Sequence, residues 1–178
     1  SCDTRKLGTA VCRSIRSRIC ESSSWAAEVT ETATGVSCSV CDRFDAVTMT
    51  HSETSTGARQ DLAAIAEVTG RHDGVLLLID SVTGVAGAEV RTDEWGLDFV
   101  LTGSQKALAL PPGLAFAVSS PTMLERSAQA TNKGYYFDLL PLIKSLEAFQ
   151  TPSTPAISLL FALEVQLGRI MGEGIEQR

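Results

Sequence analysis

One uninterrupted apolar run constrains this chain more than any other feature of its sequence. Residues 75–79 read Val-Leu-Leu-Leu-Ile and end directly on Asp80. A short run without polar alternation is typical of a strand that is buried on both faces of a parallel sheet. Because a buried charge is costly unless it is paired, we expect Asp80 at the mouth of that strand. Considered alone, Asp80 is better explained as a helix cap or as a partner in a loop ion pair.

The chain after Phe44 alternates between segments of strand and helix character. The predicted strands are residues 45–50, 75–79, 98–101 and 114–118. The predicted helices are residues 61–69, 121–128 and 155–171, with one helical turn at 92–95. This alternation predicts an α/β domain with a mostly parallel sheet and flanking helices. Ligands of such sheets gather at the carboxyl ends of the strands, which here are residues 50–57, 80–82 and 102–106.

Lys106 is the one lysine between Phe44 and Lys133, in a small polar segment that turns abruptly apolar and proline-rich. A lysine in a tight, partly buried loop loses solvation, so its neutral amine becomes available for Schiff-base chemistry. The alternative is an ordinary solvated surface lysine. Together, Asp80 and Lys106 match the demands of pyridoxal 5'-phosphate, whose aldehyde needs an amine and whose ring nitrogen stays protonated beside a carboxylate.

Three motifs in a fixed order make this chemistry specific. Residues 51–57 read His-Ser-Glu-Thr-Ser-Thr-Gly, residues 79–82 read Ile-Asp-Ser-Val, and residues 103–113 read Gly-Ser-Gln-Lys-Ala-Leu-Ala-Leu-Pro-Pro-Gly. From about Phe44 to its end, the chain resembles the class V aminotransferase family, and within it the alanine–glyoxylate and serine–glyoxylate (serine–pyruvate) aminotransferases. The resemblance implies a partial large domain of a fold-type I pyridoxal phosphate-dependent transferase, with residues 44–178 as its central and C-terminal part.

The resemblance also implies a role for each matching residue. Lys106 would hold the cofactor as a Schiff base and move a proton between substrate carbon and cofactor. Asp80 would pair with the pyridinium nitrogen, Val82 would pack on one ring face, and Thr54 would hydrogen-bond the ring hydroxyl. His51 is expected to orient its loop without a catalytic role.

Two further residues would contact the cofactor phosphate. The resemblance implies that Gln105 binds the phosphate of its own subunit, and that Thr154 reaches the phosphate of the neighbouring subunit's cofactor. The second role implies a homodimer. Since Thr154 directly precedes Pro155 at the start of a predicted helix, a helix cap is its simpler structural role, and the two roles are compatible.

Residues 1–43 differ in character from the rest and look unlike the family, being rich in Ser, Thr, Arg and Cys. They hold all five cysteines, Cys2, Cys12, Cys20, Cys38 and Cys41. The odd count argues against a closed disulfide framework, and the Cys38–Cys41 spacing lacks a second pair of ligands, so we predict no metal site. Our hypothesis is that the segment reflects a reading-frame error or a wrong gene model. Its rival is a genuine, divergent extension.

Family members carry parts that we do not find here. These are a glycine-rich phosphate loop and a ring-stacking aromatic residue before the matching region, and a small C-terminal domain with a substrate-binding arginine after it. We therefore expect the small domain to be absent and the chain to be an inactive fragment. A non-catalytic dimerising fragment or pseudoenzyme is the alternative. Cysteine desulfurase is disfavoured among related enzymes because no cysteine follows Cys41.

The predicted reaction is transamination between a small amino acid, alanine or serine, and a 2-oxo acid such as glyoxylate or pyruvate. The formal net charge of -6 and the evenly mixed charged residues predict no nucleic-acid partner. The apolar stretch at residues 74–79 is too short to cross a bilayer, and no apolar segment of signal-peptide length follows Ser1. The expected location is cytoplasmic, without a membrane partner.

Overall fold

The computed structural model describes the backbone of residues 29–32 and 35–38 and the whole of residues 45–178. Its helices and strands follow one another in the alternating order that the sequence predicts after Phe44. They are β1 (Val29–Thr32), β2 (Gly35–Cys38), β3 (Ala46–Thr50), α1 (Leu62–Thr69), β4 (Leu76–Asp80), β5 (Phe99–Gly103), β6 (Ala115–Ser119), α2 (Pro121–Gln129), α3 (Leu139–Glu147) and α4 (Ile157–Glu173).

A four-stranded sheet in the order β3-β4-β5-β6 forms the centre of the fold. β3 pairs with β4 and β4 with β5 in parallel, whereas β6 joins β5 antiparallel. The prediction of a mostly parallel sheet with flanking helices is confirmed. The parallel register places Thr50, Asp80 and Leu101 side by side, so three strands end at one edge of the sheet.

The hydrophobic core lies between one face of this sheet and α1. Alternation along a strand sends every second side chain to the same face, which is how Leu77 and Ile79 enter the core together. The buried core residues are Val47, Met49, Leu62, Ala66, Leu77, Ile79, Leu97 and Val100. The same alternation puts Asp80, where β4 ends, on the side opposite to Ile79.

Asp98 connects the start of β5 with two neighbouring elements. Its Oδ2 accepts a hydrogen bond from the backbone N–H of Leu77 at 2.9 Å, and its Oδ1 accepts one from the Ser120 hydroxyl at 2.7 Å. Ser120 is also the N-cap of α2, where its Oγ accepts from the N–H of Met123 and Pro121 occupies the first turn. The Asp98 carboxylate thereby fixes the position at which α2 begins.

One helix of the structure was not expected from the sequence. This is α3, whose Pro141 lies in the first turn, where proline is tolerated. Asp138 caps the helix by accepting a hydrogen bond from the N–H of Leu140. The single helical turn expected at residues 92–95 is present, with the N–H of Trp95 donating to the carbonyl of Arg91 at 3.0 Å.

The expected capping role of Thr154 is wrong. α4 begins at Ile157, its N-cap is Ala156, and no side chain caps it. Apolar residues recur along α4 at helical spacing, at Leu160, Leu163 and Leu167 among others, but Ile170 is the one buried residue of this helix. Along the 45–178 segment, further apolar side chains are exposed close to α3 and α4, among them Tyr135, Tyr136, Phe137, Leu146, Phe149, Phe161 and Val165. No helix within the described ranges is both long and apolar enough to cross a membrane.

β1 and β2 form a separate antiparallel pair in which Val29 lies opposite Cys38 and Thr32 opposite Gly35. This hairpin was not predicted, since the sequence there shows no clean strand pattern. Residues 1–28, 33–34 and 39–44 lie outside the described residues, and so do the side chains of β1 and β2. The hypothesis of a reading-frame error and the predictions about the cysteines fall on those residues.

We expect Leu77→Ala to lower the free energy of unfolding by about 2–5 kcal/mol, because it leaves a cavity in the core against α1. Leu77 is 2% exposed, whereas Leu146 on α3 is 70% exposed. Leu146→Ala is therefore the matched control, with an expected change within about 0.5 kcal/mol. Urea unfolding followed by circular dichroism measures both. Equal losses for the two variants would contradict this assignment of the core.

Candidate active site

The candidate site lies along the edge where β3, β4 and β5 end. Asp80 is the last residue of β4, and its register neighbours are Thr50 on β3 and Leu101 on β5. The loop after β3 carries Thr54, and the loop after β5 carries Lys106. Parallel strands deliver the residues that follow them to one edge, so residues far apart in sequence become neighbours there.

Asp80 and Val82 belong to one short turn. The exposed Asp80 carboxylate accepts a hydrogen bond through Oδ1 from the backbone N–H of Val82 at 3.1 Å. The Thr102 hydroxyl on β5 donates to the carbonyl of Val82 at 3.4 Å. These contacts hold the main chain after β4 against β5 and leave the second oxygen of Asp80 able to accept a bond from a ligand.

Thr54 is joined to the turn that follows β4. Its Oγ1 lies 2.9 Å from Oγ1 of Thr83, and either hydroxyl can donate in this pair. A hydroxyl offers one donor and two acceptor sites, so Thr54 can bind Thr83 and still bond to a ligand. The contact ties the 51–61 loop to the 81–85 turn.

The loop that carries Lys106 is closed at its base by Ser104. The buried Ser104 hydroxyl donates to the carbonyl of Pro111 at 2.7 Å and accepts from the N–H of Leu114 at 3.2 Å. Its backbone N–H donates to Leu114, and its carbonyl accepts from Leu110, both at 3.0 Å. Lys106 is half-buried within this closed loop, as the sequence predicts.

Gln105 is exposed and folds back over the end of β5. A Cβ added at Gly103 would come within 2.6 Å of Gln105 Oε1, so the glycine makes room for the amide. Gln105 and Lys106 both lie in the loop that follows β5, so an amide and an amine occur next to each other at this edge of the sheet.

His51 lies beneath this surface. It is buried, and its Nδ1 lies 2.9 Å from the Ser81 hydroxyl. Burial, followed by the positive charge of Arg59, lowers the pKa of His51 from its ordinary value. A neutral, enclosed imidazole suits the expectation that His51 orients its loop and has no direct part in chemistry.

Thr154 is the one predicted site residue that the structure does not connect to the others. It is exposed in the loop before α4, and no hydrogen bond within residues 45–178 joins it to the strand-edge group. The start of α4 nevertheless approaches the lysine loop, because Leu159 lies against Gly113. The role expected of Thr154 concerns a neighbouring subunit.

The donor set at this edge fits pyridoxal phosphate. A carboxylate, an amine, a hydroxyl pair and an amide lie on adjacent loops, which are the group types that a pyridine nitrogen, an aldehyde, a ring hydroxyl and a phosphate require. The apolar Val82 follows Asp80 by two residues. No cluster of metal-binding side chains occurs within the part of the chain that the structure describes.

Comparison with known proteins agrees with this donor set. The sequence profile of the class-V aminotransferases matches residues 29–162, which is well over half of the chain. The chain belongs to the class-V aminotransferase family. The family implies use of pyridoxal phosphate, and the match begins upstream of Phe44.

Individual class-V relatives are longer than this chain. A serine–glyoxylate aminotransferase of Arabidopsis thaliana is 38% identical over 74% of this chain and 33% of its own length. A protein named soluble hydrogenase, small subunit, of a Synechococcus species is 44% identical over 74% of this chain and 34% of its own length. The crystal structure of an alanine–glyoxylate aminotransferase from a Nostoc species superposes with a TM-score of 0.70 at 33% identity, covering 76% of this chain and 36% of that one. The chain thus spans about a third of the relatives it matches, and its fold is a partial large domain of the fold-type I transferases.

Three residues of the class-V site were not assigned a role from sequence. Ser81 bonds to His51, Thr83 bonds to Thr54, and Ser104 closes the lysine loop. Ser81 and Ser104 do lie within the recognised motifs, so the motifs marked their segments. Their partners are distant in sequence, and the contacts depend on loop conformations that spacing does not reveal.

We expect the stability of this class-V domain to fall as the pH is lowered from about 7 through about 6. The folded state lowers the pKa of His51, so below its ordinary value the unfolded chain binds a proton that the folded chain does not accept. The contribution of neutral His51 to the free energy of unfolding is fully present above the ordinary pKa of histidine. It is lost as the pH falls below that pKa. Urea unfolding across this range should give a flatter pH profile for His51→Asn than for the unmodified protein. Parallel profiles would contradict the assignment.

Proposed function

We propose that this chain supplies the cofactor-binding half of an aminotransferase site that uses pyridoxal phosphate. The proposed reaction moves an amino group between a small amino acid, alanine or serine, and a 2-oxo acid such as glyoxylate or pyruvate. The observation that carries it is the delivery of a carboxylate, Asp80, and an amine, Lys106, from the ends of two adjacent parallel strands. The names of the serine–glyoxylate and alanine–glyoxylate relatives support the substrate class.

Bound pyridoxal phosphate supplies an electron sink that makes the α-proton of an amino acid removable. In the proposed site, Lys106 Nζ would hold the cofactor at its aldehyde, and the same amine would accept and return the α-proton of the substrate. Asp80 would keep the ring nitrogen protonated through its free carboxylate oxygen. The Ser104-closed loop fixes the backbone that carries Lys106 at the end of β5, beside the end of β4, and proton transfer requires positioning of this kind.

The remaining residues orient the ligand. We assign Val82 to an apolar contact with one face of the ring, since it follows Asp80 in the same turn. Thr54 binds the ring hydroxyl while it keeps its bond to Thr83. Gln105 contacts the phosphate through its exposed amide. Each of these groups is exposed or half-buried at the edge and so is accessible to a ligand.

We also propose that the protein acts as a homodimer with shared active sites, in which Thr154 serves the partner's cofactor phosphate. Support comes from the apolar side chains of α4, of which Phe161 and Val165 are exposed, and from the neighbouring Phe149. An isolated chain with so much apolar surface in water is disfavoured, and coverage by a second subunit relieves it.

For the isolated chain of 178 residues we propose little or no turnover. Asp80 and Gln105 are exposed in it, so water competes with every hydrogen bond that would orient a ligand. Electrostatic positioning is effective only where water is excluded. A steady rate from this chain, abolished by Lys106→Ala, would contradict the proposal.

Two substitutions test the roles at the site, in the longest form of the protein that its gene encodes. Lys106→Ala should abolish amino transfer from alanine and serine to glyoxylate, together with the absorbance band of covalently bound cofactor. Asp80→Asn should keep the band but lower kcat by about 100-fold, because an amide does not hold the ring proton. Lys133→Ala and Asp73→Asn are the matched controls. An Asp80→Asn protein that transaminates at the unmodified rate would rule out the assigned role.

Subunit mixing tests the shared site. Lys106→Ala and Thr154→Val subunits are each expected to form impaired dimers, but a mixed dimer would contain one site with an intact Lys106 and an intact Thr154. Activity should therefore reappear when the two variants are unfolded and refolded together. The control mixes Lys106→Ala with Asp80→Asn, which affect the same side of one site and should not complement. Sedimentation as a fully active monomer would exclude the dimer.

A further inference from the structure

We propose that His51 and Ser81 form a buried positioning pair that sets the directions of the Asp80 carboxylate and the Val82 side chain toward the cofactor. The inference rests on the proposed function for its meaning, since Asp80 and Val82 are the groups that would hold the ring. Neither His51 nor Ser81 touches the ligand in this arrangement. They act through the main chain of the residues beside them.

The pair connects the ends of β3 and β4 at two levels. His51 Nδ1 and Ser81 Oγ are 2.9 Å apart, and the two residues are 2% and 0% exposed, so water cannot replace this bond. The backbone N–H of His51 also donates to the carbonyl of Asp80 at 2.8 Å. On the other side, the N–H of Ser81 donates to the carbonyl of Leu101 at 3.0 Å. Residues 80 and 81 are thus held from both neighbouring strands.

Gly84 closes the pocket over this pair. A Cβ at position 84 would overlap His51 Nδ1 and would approach Ser81 Oγ to 2.6 Å. Its backbone does not need a left-handed conformation, so the requirement for glycine here is one of space. The N–H groups of Gly84 and Val85 both donate to the carbonyl of Ser81 at 3.0 Å, which folds the 81–85 turn back over the imidazole.

The turn that the pair supports contains the cofactor-facing groups. Val82 donates its N–H to Asp80 Oδ1, and Thr83 bonds to Thr54 across the gap between the loops. If Ser81 were free to rotate, the turn from Asp80 to Thr83 would lose its one buried side-chain attachment to β3. The backbone bonds of residues 80 and 81 would remain, but beyond them the direction of the carboxylate would depend on the solvent-exposed bonds of Val82 and Thr83.

Three variants separate positioning from general stability. His51→Asn keeps an amide group near the place of Nδ1, whereas His51→Gln moves the amide to the place of Nε2, away from Ser81. Ser81→Ala removes the other partner. If the pair positions the turn, His51→Gln and Ser81→Ala should share one defect, the double variant should be no worse than either, and His51→Asn should largely restore the function.

The first measurement needs no cofactor. Amide hydrogen exchange of Val82 reports the bond to Asp80 Oδ1, and we expect it to quicken by about tenfold in His51→Gln and Ser81→Ala but not in His51→Asn. Exchange at Ala66 in α1 controls for loss of global stability. Unchanged Val82 exchange in folded His51→Gln and Ser81→Ala would overturn the proposal.

The second measurement uses the longest gene-encoded form loaded with pyridoxal phosphate. The circular dichroism of the cofactor band, per bound cofactor, reports how firmly the ring is oriented. We expect His51→Gln to weaken it at least by about half and to lower kcat by about 10- to 100-fold with little change in KM for the amino donor. A merely structural role would lower the melting temperature and leave both unchanged, and that result would overturn the proposal.

The two measurements distinguish failure of this inference from failure of the proposed function. An unmodified protein that binds no pyridoxal phosphate would refute the proposed function, and with it the orienting role toward a ring; the exchange data would then decide only whether the pair fixes the turn. An unmodified protein that binds cofactor and transaminates, alongside a His51→Gln protein that does so equally well, would refute this inference alone.

Discussion

In β3, β4 and β5 the residues Thr50, Asp80 and Leu101 lie side by side in parallel register. Burial of the apolar residues just before Asp80 maintains that register. If β4 slipped by one residue, Ile79 would leave the core and Asp80 would enter it, since alternate side chains point to opposite faces. Full burial of each large apolar side chain contributes about 1.5–3 kcal/mol, so the slipped arrangement is strongly disfavoured. The position of the carboxylate at the edge is therefore a consequence of core packing.

Buried and partly buried polar side chains hold the segments that adjoin the strand ends. His51 with Ser81, Ser104 with Pro111, and Asp98 with Ser120 each join segments that are distant in sequence. Throughout residues 45–178 no buried side-chain nitrogen or oxygen lacks a hydrogen-bond partner. A satisfied polar network of this kind favours one loop arrangement over its competitors, because an alternative would leave some of these groups buried and unpaired. The proposed site residues Asp80, Gln105 and Lys106 are exposed or half-buried beside that network.

The sequence predicted the elements of the sheet to within about two residues, which is the accuracy that helix and strand boundaries allow. It succeeded because each strand is a compact apolar run, and because Asp80 and Lys106 follow two of those runs. The sequence did not predict α3, which has Pro141 in its first turn. It also did not predict the β1–β2 hairpin, whose strands are short. For α4, periodicity identified an apolar face without indicating what that face meets. The Thr54–Thr83 and His51–Ser81 contacts could not be predicted from the sequence, because they depend on how two loops pack against each other.

The Ser104-closed loop has a thermodynamic consequence for the amine that it carries. Fixing the backbone of one residue costs about 1–2 kcal/mol in conformational entropy. If the loop were flexible, a ligand would have to order several of its residues on binding, and this cost would weaken the binding. Here four hydrogen bonds to Ser104 order the loop when the chain folds. The entropic cost of ordering the backbone around Lys106 is therefore incurred when the chain folds. It does not reduce the free energy of binding a ligand.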